Sequence, residues 1–361
     1  FKFDIDRNVA DAGMRARFDT GFIRHTVTLQ GTHYDDVIRR GSNDATQSVL
    51  SNIYRPVTRP ELFVPEPSRV PKLSETTLAG LSLADTMSVF DDRMQLTLGV
   101  RRKEINSSNF STTSGAVTSA SKEAAFTPLV GIVVKPWSNV SLYANYIEGL
   151  SKGDIAPTTA SNSGEVLPPY IARQKELGVK VDFGTLAATF SAFEIERPYA
   201  QLYGSVFRAD SEQRNRGLEF NIFGEVAQGV RALAGATFLD AKLTRTSIPS
   251  QLGATPIGVP DFQANLGGEW DVPSIPGFTL TGNLAYTERV FVNTANTQSI
   301  PAWTRFDVGA RLLAVVAGRP IIIRASVLNV ADKRYWAGVS SFSGLSQGLP
   351  RTYLLSASAD F

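Results

Sequence analysis

The sequence predicts an all-β chain, about fifteen antiparallel strands of a transmembrane β-barrel wall. Three observations lead there. Apolar and polar residues alternate one by one in segments of roughly 10 residues, the length a membrane-crossing strand needs. No stretch approaches the roughly 20 uninterrupted apolar residues of a membrane-spanning helix, although 43% of the residues are hydrophobic. Connections between the strands alternate between short turns and long polar stretches, with long loops expected at every position on one side. A β-propeller or a stack of soluble sandwiches shares the many short strands but requires no such alternation of connections.

The first pair carries Met14, Ala16 and Phe18 against Arg15, Arg17 and Asp19, turns at Thr20-Gly21, and returns through Val27 and Leu29. It is expected to dissolve near Asp35-Asp36 into a loop reaching about Lys72, because Pro56, Pro60, Pro65, Pro67 and Pro71 cannot donate to a ladder. The second pair runs from about Glu75 through Asp91-Asp92 to about Glu104, with Met94, Leu96, Leu98 and Val100 on one face. A Ser/Thr-rich stretch, Ser107 to Ser121, follows as a polar loop. In the third pair Phe126, Val130, Ile132 and Val134 precede the turn Lys135 to Asn139, and Val140, Leu142, Ala144 and Tyr146 follow it. A polar loop then covers Ser151 to Pro169.

The fourth pair sets Leu177, Val179, Val181 and Phe183 against Glu176, Lys180 and Asp182, and turns at Gly184 towards Ala188 and Phe190. The fifth places Leu218, Phe220 and Ile222 against Glu219 and Asn221, turns at Gln228-Gly229, and returns from Val230 to Ala241. In the sixth, Phe262, Ala264, Leu266 and Trp270 oppose Gln263, Asn265 and Glu269; after Pro273 to Gly277 come Leu280, Leu284 and Tyr286. The seventh has Phe306, Val308 and Leu312 against Arg305, Asp307 and Arg311, then Gly318-Arg319-Pro320 and a return from Ile321 to about Val330. A last strand, with Tyr353, Leu355, Ala357, Ala359 and Phe361 on one face, stands alone and is the barrel-closing strand.

Composition narrows the function classes. The net charge of +2 comes from 36 basic and 34 acidic residues interspersed along the chain, which gives no case for nucleic-acid binding. With no cysteine, disulfides and thiolate chemistry are excluded. Phe1 is not a start methionine and no charged, apolar leader is visible, so the chain reads as mature, processed or truncated.

Gly149 to Gly153 and Gly344 to Gly348 match the five-residue serine nucleophile pattern, but that fold places a His after the Ser, and His25 and His33 precede both. The two histidines share the parity of Val27 and Leu29 and lie about 26 Å apart along an extended strand, too far for one metal. Asp35-Asp36 and Asp91-Asp92 are expected in connections, and these pairs together with Glu194 and Glu196 as solvated loop or lumen charge. The chain is expected to be no enzyme, with no cofactor and no metal of its own.

The strand ending in Phe361 resembles the closing strand of outer-membrane barrels, which puts Phe361 on the periplasmic side and the long loops outside. Asn139 to Gly149, Ala172 to Val181, Glu212 to Phe220, Thr237 to Ala241, Leu328 to Tyr335 and Gly348 to Phe361 together resemble the C-terminal barrel segment of TonB-dependent ferric-siderophore receptors. That family has a 22-stranded barrel holding an N-terminal plug. The resemblance therefore implies that residues 1–361 are the C-terminal portion of the barrel domain, with the first roughly seven strands and the plug outside the chain and an open seam beside Tyr353, Leu355 and Phe361.

It further implies a receptor in the outer membrane of a Gram-negative bacterium that binds a ferric siderophore, hydroxamate as first choice, and imports it with TonB-derived energy. Implied partners are the siderophore, the TonB complex, outer-membrane lipid and the barrel-assembly machinery, for a monomeric protein. A porin-like passive channel is the alternative, and a soluble β-rich enzyme or binding module a third. By parity Arg15, Arg17, Arg101, Glu176, Lys180, Glu219, Glu269, Arg305, Asp307, Arg311 and Arg324 line the lumen, docking a plug or steering an anionic ligand. Iron chelates suit aromatic contacts with nearby Arg, so the ligand candidates are the outer-side Tyr54, Tyr199, Tyr203, Phe207, Trp303, Tyr335, Trp336 and Phe342. For Trp303 and Tyr335, near strand ends, an interfacial aromatic girdle is the better placement.

Overall fold

A computed structural model of the chain describes residues 2–42, 52, 55, 65–157, 159–316, 318–339 and 344–359. Alternating sequences become strands because successive side chains of extended backbone point to opposite faces. The elements are β1 (Lys2–Thr20), β2 (Ile23–Gly41), β3 (Lys72–Val89), β4 (Met94–Phe110), β5 (Val117–Trp137), β6 (Val140–Ser151) and β7 (Tyr170–Asp182). They continue with β8 (Leu186–Tyr203), β9 (Val206–Ala227), β10 (Val230–Arg245), β11 (Phe262–Asp271), β12 (Phe278–Thr287), β13 (Val290–Phe291) and β14 (Ser299–Ile300). The last are β15 (Trp303–Val316), β16 (Arg319–Leu328), β17 (Trp336–Val339), β18 (Leu345–Gln347) and β19 (Thr352–Ala359).

Fifteen strands form one antiparallel sheet in the order β1 to β12, β15, β16, β19. Each pairs with its chain neighbours, and β13 with β14 and β17 with β18 make two small hairpins in the connections. Among the described residues β1 and β19 each have a partner on one side only. No helix among the described residues is long and apolar enough to cross a membrane, so every ladder hydrogen bond that a lipid environment demands comes from strand pairing.

The two faces invert the usual soluble arrangement. Ladder register puts Met14, Leu29, Leu83, Leu98, Val130, Leu142, Leu177, Phe190, Phe220, Leu266, Phe306 and Tyr353 on one face, where they are exposed. Leu177 is 62% accessible and Leu355 79%. The opposite face carries the buried polar residues Thr76, Ser107, Asn109, Thr127, Ser191, Gln213, Thr279 and Asp307. All of the proposed lumen charges fall on this second face, with networks such as Arg231–Glu269 (3.0 Å) and Arg311–Glu269 (3.1 Å). An apolar outer face around a polar interior is the membrane-barrel arrangement. Glycine gives close packing to that interior: the Tyr143 ring lies where a Cβ on Gly178 would stand, and the Phe193 ring does the same at Gly217.

Three expectations about the connections are corrected. Asp35-Asp36 do not lie in a loop, since β2 continues to Gly41 and Asp36 is 3% exposed. Ser107 to Ser121 is mostly strand, because its hydroxyls and amides bond across the ladder, as in Thr76–Ser107 (3.1 Å) and Asn109–Ser119 (2.8 Å). The long-loop side also has a short connection: β8 and β9 extend as a hairpin closed by Gly204-Ser205, with Gly204 at φ 61°. A two-residue turn with positive φ matches the twist of paired strands.

Candidate functional site

At the long-connection end of the polar face, residues 152–157 and 159–169 reach across the wall from β2 to the β8–β9 hairpin. At one end Lys152 bridges Asp36 (3.1 Å), which Arg7 also holds (3.1 Å). Asn109 on β4 clasps Val166 in both directions, accepting from its N–H (3.0 Å) and donating to its carbonyl (3.3 Å). At the other end Asn162 makes the same double clasp with Phe207, 2.9 Å each way, and the Ser161 N–H donates to the Ser205 carbonyl (2.7 Å). Ala156, Ala160, Leu167, Ala200 and Phe207 form a small apolar core beneath these bonds. Gly153 is required here, because a Cβ would meet the Leu167 carbonyl oxygen at 1.8 Å.

This segment carries Asp154 to Arg197, where the guanidinium meets the carboxylate at 3.3 Å and lies 5.6 Å from the centre of the Tyr170 ring. Arg197, Tyr199 and Tyr170 sit at the long-loop ends of β8 and β7, beyond the stretch needed to cross a bilayer. Burial pushes the Asp154 carboxyl above the usual carboxylate range, and Arg197 pulls it back. Burial likewise raises the Tyr170 and Tyr199 phenols above 10.

A second aromatic group forms at the last long connection. Trp303 opens β15 on its polar face and packs against Tyr335, ring centres 4.7 Å apart at 33°. Tyr335 is 9% exposed, so the pair faces inward rather than lying in a girdle against lipid. Arg305 stands beside Tyr335 and bridges Asp307 (3.0 Å). Asp307 accepts from the N–H of Asn329 (2.8 Å), a fully buried residue in the left-handed region whose side chain donates to the Lys333 and Leu349 carbonyls. Asn329 thereby fixes both ends of the connection that holds Tyr335 and Trp336. Gly348 gives the Tyr335 ring its place, since a Cβ there would stand 2.1 Å from the ring.

Residues 246–261 run from the first group to the small hairpins of β13, β14 and β17. The Tyr199 hydroxyl meets the backbone of Ile257, while Gly258 donates to the Phe291 carbonyl (3.0 Å) and lies against the Val339 backbone of β17. Thr255 and Asn296 exchange two further bonds, 2.8 and 2.9 Å.

Of the aromatic candidates, the structure brings together Trp303 and Tyr335 and places Tyr199 beside Arg197. Tyr203 is at the hairpin tip under Arg208, 4.0 Å from its ring centre. Phe207 is 6% exposed and packs in the small loop core. Trp336 starts β17, whereas Tyr54, Phe342 and Phe361 lie outside the described residues. Sequence reading did not single out Asp154, Tyr170, Arg197 or Asn329. Asp154 and Arg197 are separated by 43 positions and carry no motif; only Asn329 had a signal, a turn-prone Asn closing an apolar strand.

The family profile described as "TonB dependent receptor-like, beta-barrel" matches residues 2–330. The ferrichrome receptor FcuA of Yersinia enterocolitica is 39% identical over 362 residues, covering 97% of this chain and 47% of that protein. The ferrioxamine B receptor of Salmonella typhimurium is 26% identical, over 95% of this chain and 49% of its own length. The crystal structure of BauA, the ferric preacinetobactin receptor of Acinetobacter baumannii, superposes with a TM-score of 0.81 at 40% identity, covering 99% of this chain and 55% of that one. The chain thus spans about half the length of the relatives it matches. Its inverted sheet, its long-loop face and these similarities agree: the chain belongs to the TonB-dependent receptor β-barrel family of the Gram-negative outer membrane.

Proposed function

We propose that the protein containing this chain binds a ferric siderophore on its extracellular face and imports it with energy delivered through TonB. The observation that carries the reading is a pair of aromatic and guanidinium groups at the loop-bearing end of the polar face, Tyr199, Arg197 and Tyr170 in one and Trp303, Tyr335 and Arg305 in the other. Aromatic rings give a bulky chelate flat apolar contact, and guanidinium groups answer its oxygen-rich, often anionic surface. The chemistry is capture and release, with no bond in the ligand broken. Family membership supports a receptor over a passive channel.

A hydroxamate ligand is the first choice, supported by the ferrichrome and ferrioxamine receptors among the relatives. Its test is tryptophan-quenching titration of the full-length protein with ferric ferrichrome, ferrioxamine B and a catecholate chelate. The expected order is hydroxamates tighter than catecholate, with Trp303→Ala and Arg197→Ala each weakening binding about tenfold. Unchanged affinity in both variants rejects this site, and a catecholate preference rejects the ligand class.

A further inference from the structure

The apolar face of the wall carries a polar cluster that ligand capture does not use. At the short-connection end of β1 to β4 this face is built from Phe18, Val27, Met87 and Leu98, and Thr20, His25 and Asp85 stand among them. Short connections mark the periplasmic side of an outer-membrane barrel. Asp85, four residues before the end of β3, therefore lies just inside the inner boundary of the membrane. A carboxylate facing lipid is costly, and where one is kept it marks function more often than packing.

The partner of Asp85 is His25. Its Nδ1 lies 2.7 Å from Asp85 Oδ2, and its Nε2 lies 2.7 Å from the Thr20 hydroxyl. Asp85 accepts, which puts the imidazole proton on Nδ1; Nε2 is then an acceptor, and the Thr20 hydroxyl donates to it. Phe18 stacks on the ring, centres 5.0 Å apart at 12°, and holds its plane. The other carboxylate oxygen of Asp85 is shut off from solvent without a hydrogen-bond partner, so among the described residues His25 alone answers its charge. Hydroxyl, imidazole and carboxylate in this order, with Nε2 towards the hydroxyl, is the arrangement that makes a hydroxyl a nucleophile. No motif announces it, because strand register brings Asp85 to His25 across 60 positions.

The turn beside the hydroxyl is open. Thr20 is exposed at the last position of β1, Gly21 has φ 64°, and a Cβ on Gly21 would meet nothing within 4 Å. Among the described residues neither the Gly21 nor the Phe22 N–H donates a hydrogen bond. Free N–H groups directly after a nucleophile can receive the negative oxygen of a tetrahedral intermediate.

We propose that Thr20, His25 and Asp85 form an ester-hydrolysing centre that acts on the acyl esters of periplasmic-leaflet lipid. Depth chooses the substrate, since the ester bonds of a membrane lipid lie where chains meet headgroups, the level of Thr20. Thr20 Oγ1 attacks the ester carbonyl carbon while His25 Nε2 takes the hydroxyl proton. The bond from that carbon to the glycerol oxygen breaks, and His25 returns the proton to the departing oxygen. Water, deprotonated by His25 in turn, cleaves the acyl-threonine ester, which releases a fatty acid and restores the Thr20 hydroxyl. The proposal rests on the wall spanning the outer membrane. It is independent of the siderophore reading, whose residues lie at the other end of the strands and on the opposite face.

Two probes test it on the full-length protein in neutral detergent: an alkyl fluorophosphonate, read by peptide mass spectrometry, and phosphatidylethanolamine in mixed micelles, read by fatty-acid release. The expected result is a phosphonylated Thr20 and fatty-acid release, both lost in Thr20→Val, kept in Thr20→Ser, and slowed about a hundredfold in His25→Gln. Asp85 acts through His25 and is a positioning residue: Asp85→Asn should slow labelling about a hundredfold, and Asp85→Glu should restore part of the rate. Heat-modifiable electrophoretic mobility and siderophore affinity should match wild type in every variant. A wild-type Thr20 that stays unlabelled, which needs no variant, overturns the proposal, as does fatty-acid release that survives Thr20→Val.

Discussion

Replacing Phe207 by Ala tests whether residues 152–169 are held by their own small core. Phe207 is 6% exposed and its buried neighbours are Ala156, Ala160, Ala200 and Leu167. Three of the four are alanines, too short to close over the space a lost ring leaves. Phe→Ala in a core costs about 3–5 kcal/mol, and a site this near solvent belongs at the lower end, about 3 kcal/mol. The effect should be local: the ladders of β8 and β9 remain, while the loop's closed state loses about 150-fold in population at 1.4 kcal/mol per tenfold. Hydrogen exchange reads this at the loop's own donors. Ala156 donates to Glu165, Gly164 to Ala156 and Leu167 to Asp154, all within 2.9 Å. Their exchange should accelerate by about two orders of magnitude, with amides of β15 and β16 unchanged. Unaltered protection at these three amides would refute the argument that Phe207 holds the loop, and acceleration spread over the whole sheet would refute its local character.

Gly178→Ala places a methyl 2.6 Å from the Tyr143 ring and 2.7 Å from the Phe190 carbonyl, so the barrel should lose about 1–3 kcal/mol, seen as a lower urea midpoint. Gly348→Ala pushes Tyr335 off its seat, so Trp303 emission should shift to longer wavelength while the fold survives; an unshifted spectrum would show that the ring has another place to go. The raised phenol of Tyr199 gives a pH prediction. Its protonated form is favoured in the folded state, so the stabilisation is complete below about 10 and is lost as pH climbs through the higher folded value. Absorbance titration near 295 nm should therefore show one late-ionising tyrosine fewer in Tyr199→Phe.

The membrane part of each strand was legible because lipid enforces a strict face: Leu177, Val179 and Val181 must all point one way, and Glu176, Lys180 and Asp182 the other. Above the membrane both faces meet water or polar loops, and the period fades although the ladder continues. That is why 107–121 read as loop and why β8 and β9 seemed to end early. The Gly204-Ser205 turn between alternating residues was the available signal for the long hairpin. Aromatic candidates at the site could be named from residue type, but their partners could not. Trp303 finds Tyr335, and Asp154 finds Arg197, only through a sheet register set by residues far away in the chain.

Residues 246–261 touch Tyr199 through Ile257 and β17 through Gly258. Two adjacent residues of one strap thus touch Tyr199 and β17, so a shift of the strap at either contact is carried to the other. Any coupling carried this way is reciprocal by thermodynamic necessity: what β17 does to Tyr199, Tyr199 does to β17.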